Sequence, residues 1–492
     1  MVKGDKATRT GRKEPARYFF EGGLSALRRD ALLKAVYKAL DGTPAWLVGG
    51  VVRNLVLSEP SAPDYDFAVK ADVKGAALRI AERLNGSCFL LDEETSTWRV
   101  AVKKKTGTIT FDFALVKDDI LRDLSLRDFT VNAMAVGLRE LFEGEASVID
   151  PTGGLLDADA RVLRMTSPEV FVSDPLRILR AFRLSLQYGL EIEKETRRSL
   201  TQNALLLKEV SAERIRDELI FIFSGKGTAD TIRALYDASV IASVFPEFRG
   251  WGDIGGYDLL EHSLKTLDEA ESLVNNITDD TFPGVAKELK AHLGRKTGHI
   301  EKKVVFKLAA FLHDAGKELV ISREEVRLRF IGHDFEGAKA VSAALKRLKF
   351  SNRTAGTIAG LVKNHHRVFG LAQLTERTFR AKAHLFRASS GADGVDLVCL
   401  ALADARATRS EEDTDLYRIA LDLLEFYFRV YSKKKPKPLL DGKEVMRIFK
   451  VKEGPKVGAI LVFINEGVEK GLVSDKKEAV EYARERLTHK SK

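Results

Sequence analysis

The chain of 492 residues holds only two cysteines, Cys88 and Cys399, far apart in sequence. This excludes a disulfide framework and a zinc–cysteine site, and it fits a reducing, cytoplasmic compartment. No apolar run approaches the roughly 18 residues that a membrane-crossing helix needs, so no membrane partner is expected. The opening stretch MVKGDKATRTGRKEPARYFF lacks an apolar core and does not read as a secretory signal. It carries six Lys/Arg against two acids, so residues 1–17 are expected to form a loose basic arm. There is no repeat of fixed period and no extended low-complexity tract.

What is present is ordinary for a globular protein: 45% hydrophobic and 31% charged residues. The length is too great for one core and implies about two to four domains. A net charge of +9 favours a polyanionic partner.

The first third mixes strand and helix signals. AWLVGG reads as a buried strand ending in a glycine turn, and VVRNLVL as the helix after it. DYDFAV alternates and is β-prone. KGAALRIAERLNG has helical spacing and is expected to close on Gly86. TWRVAVKKK and TITFDFALV read as two strands joined by a turn near Gly107, and SVIDP as another short strand. From Ser167 the strand signals fade. DPLRILRAFRLSLQYGL, AERIRDELIFIFSG, TADTIRALYDASVIASVF and LLEHSLKTLDEAESLV read as amphipathic helices. A basic, proline-containing stretch, SKKKPKPLLDG, precedes two more helical patterns. The expected fold class is therefore α+β: a mixed α/β domain followed by helical ones.

Asp64 and Asp66 lie two apart in a predicted strand, so both side chains point to one face. Two carboxylates so placed can share a pair of Mg²⁺ ions, which in nucleotidyl transfer stabilise the attacking and leaving oxygens. Asp112, in TFDFALV, is a third candidate from a neighbouring strand. A lone D-x-D is more often a strand-edge turn. Gly49 and Gly50 raise its significance. Glycines between strand and helix let the backbone approach a phosphate, and the helix start offers free N–H groups to it. Arg53, one turn into that helix, can reach a phosphate oxygen.

GGVVRN followed by DYD resembles the signature of the class II nucleotidyltransferases, G-G-x-V-R-D then D-x-D. That family includes CCA-adding tRNA nucleotidyltransferases and bacterial poly(A) polymerases. Asn54 stands where the family has aspartate. LRDFTVNAMAV resembles the family motif R-R-D-F-T-x-N-A, with Leu126 in place of the first arginine. DPTGGLLDADARVLR, SDPLRILRAFRLSLQYGLEIEKET and ERIRDEL resemble three later motifs in the same order. The resemblance implies a palm-like head over residues 18–165 and a helical neck and body, binding RNA and nucleotide, over 166–250. It implies that Arg127, Asp128 and Asn132 shape the ribose and triphosphate pocket. Asp174 and Arg177 are three apart on a predicted helix and share a face. The resemblance makes them a template for the incoming base. An aspartate accepts from the exocyclic amine of cytosine or adenine, and an arginine donates to the ring nitrogen. Uracil and guanine present the reverse polarity, which such a site rejects. Arg180 and Arg183 continue the helix toward phosphates.

His262, His313, Asp314 and Asp404, in the order H…HD…D, resemble the ligands of HD-type metal-dependent phosphohydrolases. The resemblance adds His333 and one of His365 and His366 near a second metal or a phosphate, with Lys317 on that phosphate. Imidazole with carboxylate suits a divalent transition metal or Mg²⁺. This implies an HD-type helical domain over residues 251–432 and a basic linker and helical tail over 433–492.

The leading expectation is template-independent addition of C, A or both to a tRNA 3′ end from CTP and ATP with Mg²⁺. Poly(A) synthesis, or A-only or CC-only addition, uses the same residues. Two readings of other classes are a metal phosphohydrolase centred on the histidines and a non-catalytic RNA-binding protein.

Overall fold

The computed structural model describes residues 17–489 except 61–63, 71, 94–95, 106, 249, 325–326, 410–412, 434–438, 470–471 and 474. The expected basic arm lies outside the described residues apart from Arg17, which opens the helix Arg17–Arg29. Residues 434–438 of the linker also lie outside them. The chain divides into two compact units, Met1–Arg249 with Ala344–Phe350, and Gly250–Ala343 with Ser351–Lys492.

In the first unit seven strands form one sheet. They are β1 (Ala45–Val48), β2 (Asp64–Val69), β3 (Ser87–Asp92), β4 (Thr97–Lys104), β5 (Gly107–Leu115), β6 (Ala135–Gly137) and β7 (Val148–Ile149). Their order is β3-β4-β5-β2-β1-β6-β7. All neighbours are antiparallel except β2 and β5, which run parallel. The alternation in β2 divides its side chains between two faces. Tyr65 and Phe67 stack on Phe111 and Phe113 of β5, with ring centroids 5.2 and 4.9 Å apart. Phe67 and Phe113 are fully buried, and each such ring stabilises the unit by roughly 1.5–3 kcal/mol. Asp64 and Asp66 project from the opposite face.

Helices Ala31–Leu40 and Val73–Leu84 pack on the aromatic face. Asp30 and Asp72 cap their N-termini by accepting backbone N–H groups. The second helix ends at Asn85 in the left-handed region (φ 52°), one residue before the expected Gly86. Strands β3 and β6 carry no alternating signal in the sequence. β3 is an edge strand with Phe89, Leu90 and Leu91 all exposed, and β6 has only three residues, all buried. TADTIRALYDASVIASVF is two helices, Thr228–Asp237 and Val240–Val244, because Ser239 takes a left-handed conformation between them.

The second unit is helical, with two short two-stranded pairs. Helices Leu259–Asn275, Lys302–Leu312, Asn352–Asn364 and Asp393–Thr408 pack on one another. Lys302–Leu312 is buried along nearly its whole length. Helices Gly442–Phe449, Pro455–Glu469 and Lys476–His489 close around a separate cluster that includes Val445, Ile460, Ile464 and Ala483.

Candidate active site

The carboxylate face of β2 meets the turn between β1 and the helix Gly50–Leu57. Parallel register sets Asp66 beside Asp112, and Asp64 beside Thr110, whose hydroxyl donates to it at 2.6 Å. Gly49 sits at φ 66°, and a Cβ there would lie 2.8 Å from Asp66 Oδ2. The turn therefore requires glycine twice over, for its backbone angle and for the space Asp66 occupies. Burial, then the charge of Asp112, raises the Asp66 carboxyl above its ordinary range, opposed by Arg127 and by the Gly50 N–H. A largely buried carboxylate with further carboxylates beside it is a fitting seat for a divalent cation, and an all-oxygen donor set suits Mg²⁺. Asp112 is also engaged: Arg99 grips both its oxygens, at 2.7 and 2.6 Å.

Arg53 stands behind the glycine turn. It donates to Asn132 at 2.8 Å and to Asn54, and it meets the hydroxyl and ring face of Tyr188. Asn54 uses both ends of its amide, since its Nδ2 donates to the Pro60 carbonyl at 2.9 Å. An aspartate has no donor for that carbonyl, so this local geometry suits asparagine. Asn132 in turn donates to Asp128, and Arg180 makes two hydrogen bonds to the other Asp128 oxygen. Burial opposes ionisation of Asp128, but Arg180 and Asn132 outweigh it and hold the carboxyl at about 2. Asp128, Asn132 and Arg53 thus form one hydrogen-bonded chain running to the turn. Arg127 pairs with Asp123 at 3.0 Å. Leu126 is 68% exposed.

Asp174 is not on a helix. Its backbone is extended (φ −149°, ψ 97°) and the helix begins at Arg177. Pro175 explains this, because a residue before proline is driven out of the helical region. Asp174 and Arg177 therefore do not share a helix face. Asp174 Oδ2 accepts from Arg214 at 2.8 Å, and Arg177 donates to Ser173 at 3.2 Å. Arg180 and Arg183 are committed to protein carboxylates: Arg183 donates to Glu218 at 2.6 Å.

In the second unit the histidines converge. His262, His313 and Asp404 form one group, and His333, His365 and His366 form another. Asp314 faces both, with Oδ2 at 3.2 and 3.3 Å from His262 and His313, and Oδ1 at 3.3 and 3.5 Å from His333 and His365. Both His365 and His366 join the second group, where one was expected. The Nδ1 atoms of His313, His333 and His365 lie 2.6–2.8 Å from the carbonyls of Ala310, Phe330 and Val362. Those contacts place the proton on Nδ1 and turn a bare Nε2 lone pair toward the carboxylate. Asp314 Oδ1 is buried without a hydrogen-bond donor. Facing lone pairs repel unless a cation lies between them, so the donor set fits a divalent metal. Burial holds His365 and His366 in the neutral, ligating form. Lys317 pairs with Asp314 at 2.6 Å and donates to the Tyr257 hydroxyl.

Three family models match: a poly A polymerase head domain at residues 45–164, a probable RNA and SrmB-binding site of polymerase A at 189–251, and an HD domain at 259–409. The chain is 32% identical over 450 residues to the A-adding tRNA nucleotidyltransferase of Deinococcus radiodurans, covering 88% of this chain and 94% of that one. This chain belongs to the class II tRNA nucleotidyltransferases. The CC-adding tRNA nucleotidyltransferase of Geobacter sulfurreducens is 29% identical over 451 residues, covering 91% and 93% of the two chains. The solved Thermotoga maritima CCA-adding enzyme complexed with tRNA shares the fold, with a TM-score of 0.56 at 22% identity, over 95% of this chain and 98% of that one. This nucleotidyltransferase is thus an enzyme of a family that uses divalent metal, joined to an HD domain. No helix among the described residues is long and apolar enough to cross a membrane.

Four residues of this nucleotidyltransferase escaped the sequence reading. Arg99 was within reach: a tight turn between two antiparallel strands sets their register, which pairs it with Asp112. Tyr188 and Arg214 lie within motif-like stretches, SDPLRILRAFRLSLQYGLEIEKET and ERIRDEL, but they are far from their partners in sequence, and no local pattern sets those pairings. Tyr257 precedes the helix that carries His262 and has no signal of its own.

Proposed function

We propose that this nucleotidyltransferase adds C, A or both to the 3′ end of tRNA from CTP and ATP, releasing pyrophosphate. The observation that carries the proposal is Asp66, held beneath the Gly49–Gly50 turn with Asp64 on its strand and Asp112 beside it. Asp64 and Asp66 hold Mg²⁺, which when bound supplies charge stabilisation to the attacking 3′-hydroxyl and the leaving pyrophosphate. Asp112, gripped by Arg99, sets the local charge. Gly49, Gly50 and Arg53 bind the triphosphate. The Asp128–Asn132–Arg53 chain keeps the arginine aimed, so little reorganisation is needed when the nucleotide arrives. Asp174, steadied by Arg214, accepts from the amine of the base, and Arg177 donates to its ring nitrogen. Arg127 neutralises charge beside Asp66, while Arg180 acts through Asp128. A tRNA, CTP and ATP substrate set is consistent with a cytoplasmic activity.

Two full-length relatives, one A-adding and one CC-adding, favour a narrower form of this reading, in which the chain adds only part of the CCA end. The histidine cluster supports a second activity. His262, His313, Asp314 and Asp404 hold a divalent metal, and phosphate-ester hydrolysis is the chemistry it would supply.

The test is extension of tRNA transcripts ending before CCA, after CC and after CCA. Each is incubated with Mg²⁺ and labelled CTP, ATP, UTP or GTP, beside Asp64→Ala/Asp66→Ala. C-only or A-only addition identifies a partial adder, all three residues a complete one, and long A tails a poly(A) polymerase. No extension of any transcript refutes nucleotidyl transfer.

A further inference from the structure

The second unit holds a cavity that the histidine cluster does not use. Its volume is about 570 Å³, within the roughly 300–1,000 Å³ of small-molecule sites. One wall is the helix Asn352–Asn364, and the others come from residues 295–302 and 388–397.

Its charge is lopsided. Arg295, Lys296 and Arg353 line it, and none of the three forms an ion pair among the described residues. A fourth cation, Lys302, is buried at its edge, but it is already met by Asp393 at 2.8 Å and by Asp396. Cations gathered in a concave surface repel one another, and an anion relieves that repulsion. Asn352 and Arg353 are also the first residues of a 13-residue helix capped by Ser351. Backbone N–H groups at such a start lack intrahelical partners and favour phosphate.

The floor is missing two side chains. Gly356 and Gly360 line the cavity from mid-helix, and a Cβ built on either meets nothing within 4 Å. Glycine there costs about 0.5–1 kcal/mol relative to alanine. The open space exists because those side chains are absent, and bare helix backbone offers a flat surface to a ring.

We propose that this cavity binds a small phosphate monoester of about nucleoside monophosphate size. Its phosphate lies against Arg295, Lys296 and Arg353, and its organic body lies over Gly356 and Gly360. The site is independent of nucleotidyl transfer and of the metal cluster.

The experiment is calorimetric titration of the full chain, in EDTA, with inorganic phosphate, ribose 5-phosphate and AMP. The proteins are wild type, Arg53→Ala, Arg353→Ala and Gly360→Leu. One site for a phosphate ester is expected, and it survives Arg53→Ala. Arg353→Ala weakens it at least about tenfold. Gly360→Leu abolishes it while the melting temperature stays at or above that of wild type, because the leucine enters empty space. Ribose 5-phosphate binding as tightly as AMP identifies a sugar phosphate, and tighter AMP identifies a nucleotide. Inorganic phosphate binding as tightly as either ester overturns the role of the glycine floor. Absence of ester binding at millimolar concentration, or binding unchanged by Gly360→Leu, overturns the proposal. A loss of tRNA affinity in Arg353→Ala without any ester binding overturns it in favour of an RNA-backbone contact.

Discussion

Replacing Arg180 with alanine strips Asp128 of its partner while leaving the carboxylate buried. Asp128 is 6% exposed, and Arg180 Nε and Nη2 donate to its Oδ2 at 3.0 and 2.7 Å. The carboxyl sits at about 2 instead of 3.8: burial opposes ionisation, but Arg180 and Asn132 overcome it. That depression corresponds to roughly 2 kcal/mol of stability at neutral pH. The folded value lies below the unfolded one. The contribution is therefore full above the unfolded value and is lost as pH falls through the folded one, with roughly half gone by pH 3. Breaking a buried pair costs roughly 3–5 kcal/mol. The Arg180 side chain is 36% exposed, so water can partly replace it, and the expected loss is about 2–3 kcal/mol. The assay is urea unfolding of wild type, Arg180→Ala and Arg180→Ala/Asp128→Asn at pH 7 and pH 3.5. The single variant loses most at pH 7 and less at pH 3.5, and the double variant recovers more than half of the loss. A cost below about 0.5 kcal/mol at pH 7, or one that does not shrink with acid, refutes the reasoning.

Gly49→Ala places a methyl against Asp66 and strains a left-handed turn. It costs about 1–2 kcal/mol of stability and lowers the transfer rate by a larger factor than any loss of folded protein explains, as read by single-turnover extension beside circular dichroism. Arg214→Ala frees Asp174. UTP and GTP misincorporation, measured against CTP and ATP, rises while tRNA affinity is unchanged, and unchanged selectivity removes Arg214 from the base site. Adding Mn²⁺ to chelated protein raises the melting temperature by mass action. His313→Ala abolishes that rise, and an equal rise in the variant places the ion elsewhere.

Much of the first site was legible because its signals are local. Strand alternation puts Asp64 and Asp66 on one face, and a strand–glycine–helix order marks the turn beside them. The position of Asp174 was also legible in principle, since Pro175 forbids it a helical backbone. β3 was not, because an edge strand of exposed Phe89, Leu90 and Leu91 has no period to detect. In the second unit the H…HD…D order named His262, His313, Asp314 and Asp404 as candidates, but that both His365 and His366 join His333 was decided only by where the helix end turns them.

The sequence by itself determined which chemistries the chain carries: a carboxylate pair under a phosphate-sized turn, a histidine–aspartate set, and a surplus of cations. Beyond the β4–β5 hairpin, tertiary structure alone decided which charges face one another. Arg180 is committed to Asp128 and Arg183 to Glu218, while Arg295, Lys296 and Arg353 meet around an open cavity. Ion pairing depends on distances of a few ångströms between side chains that packing brings together. Most of these partners lie far apart along the chain, and no period in the sequence encodes such distances.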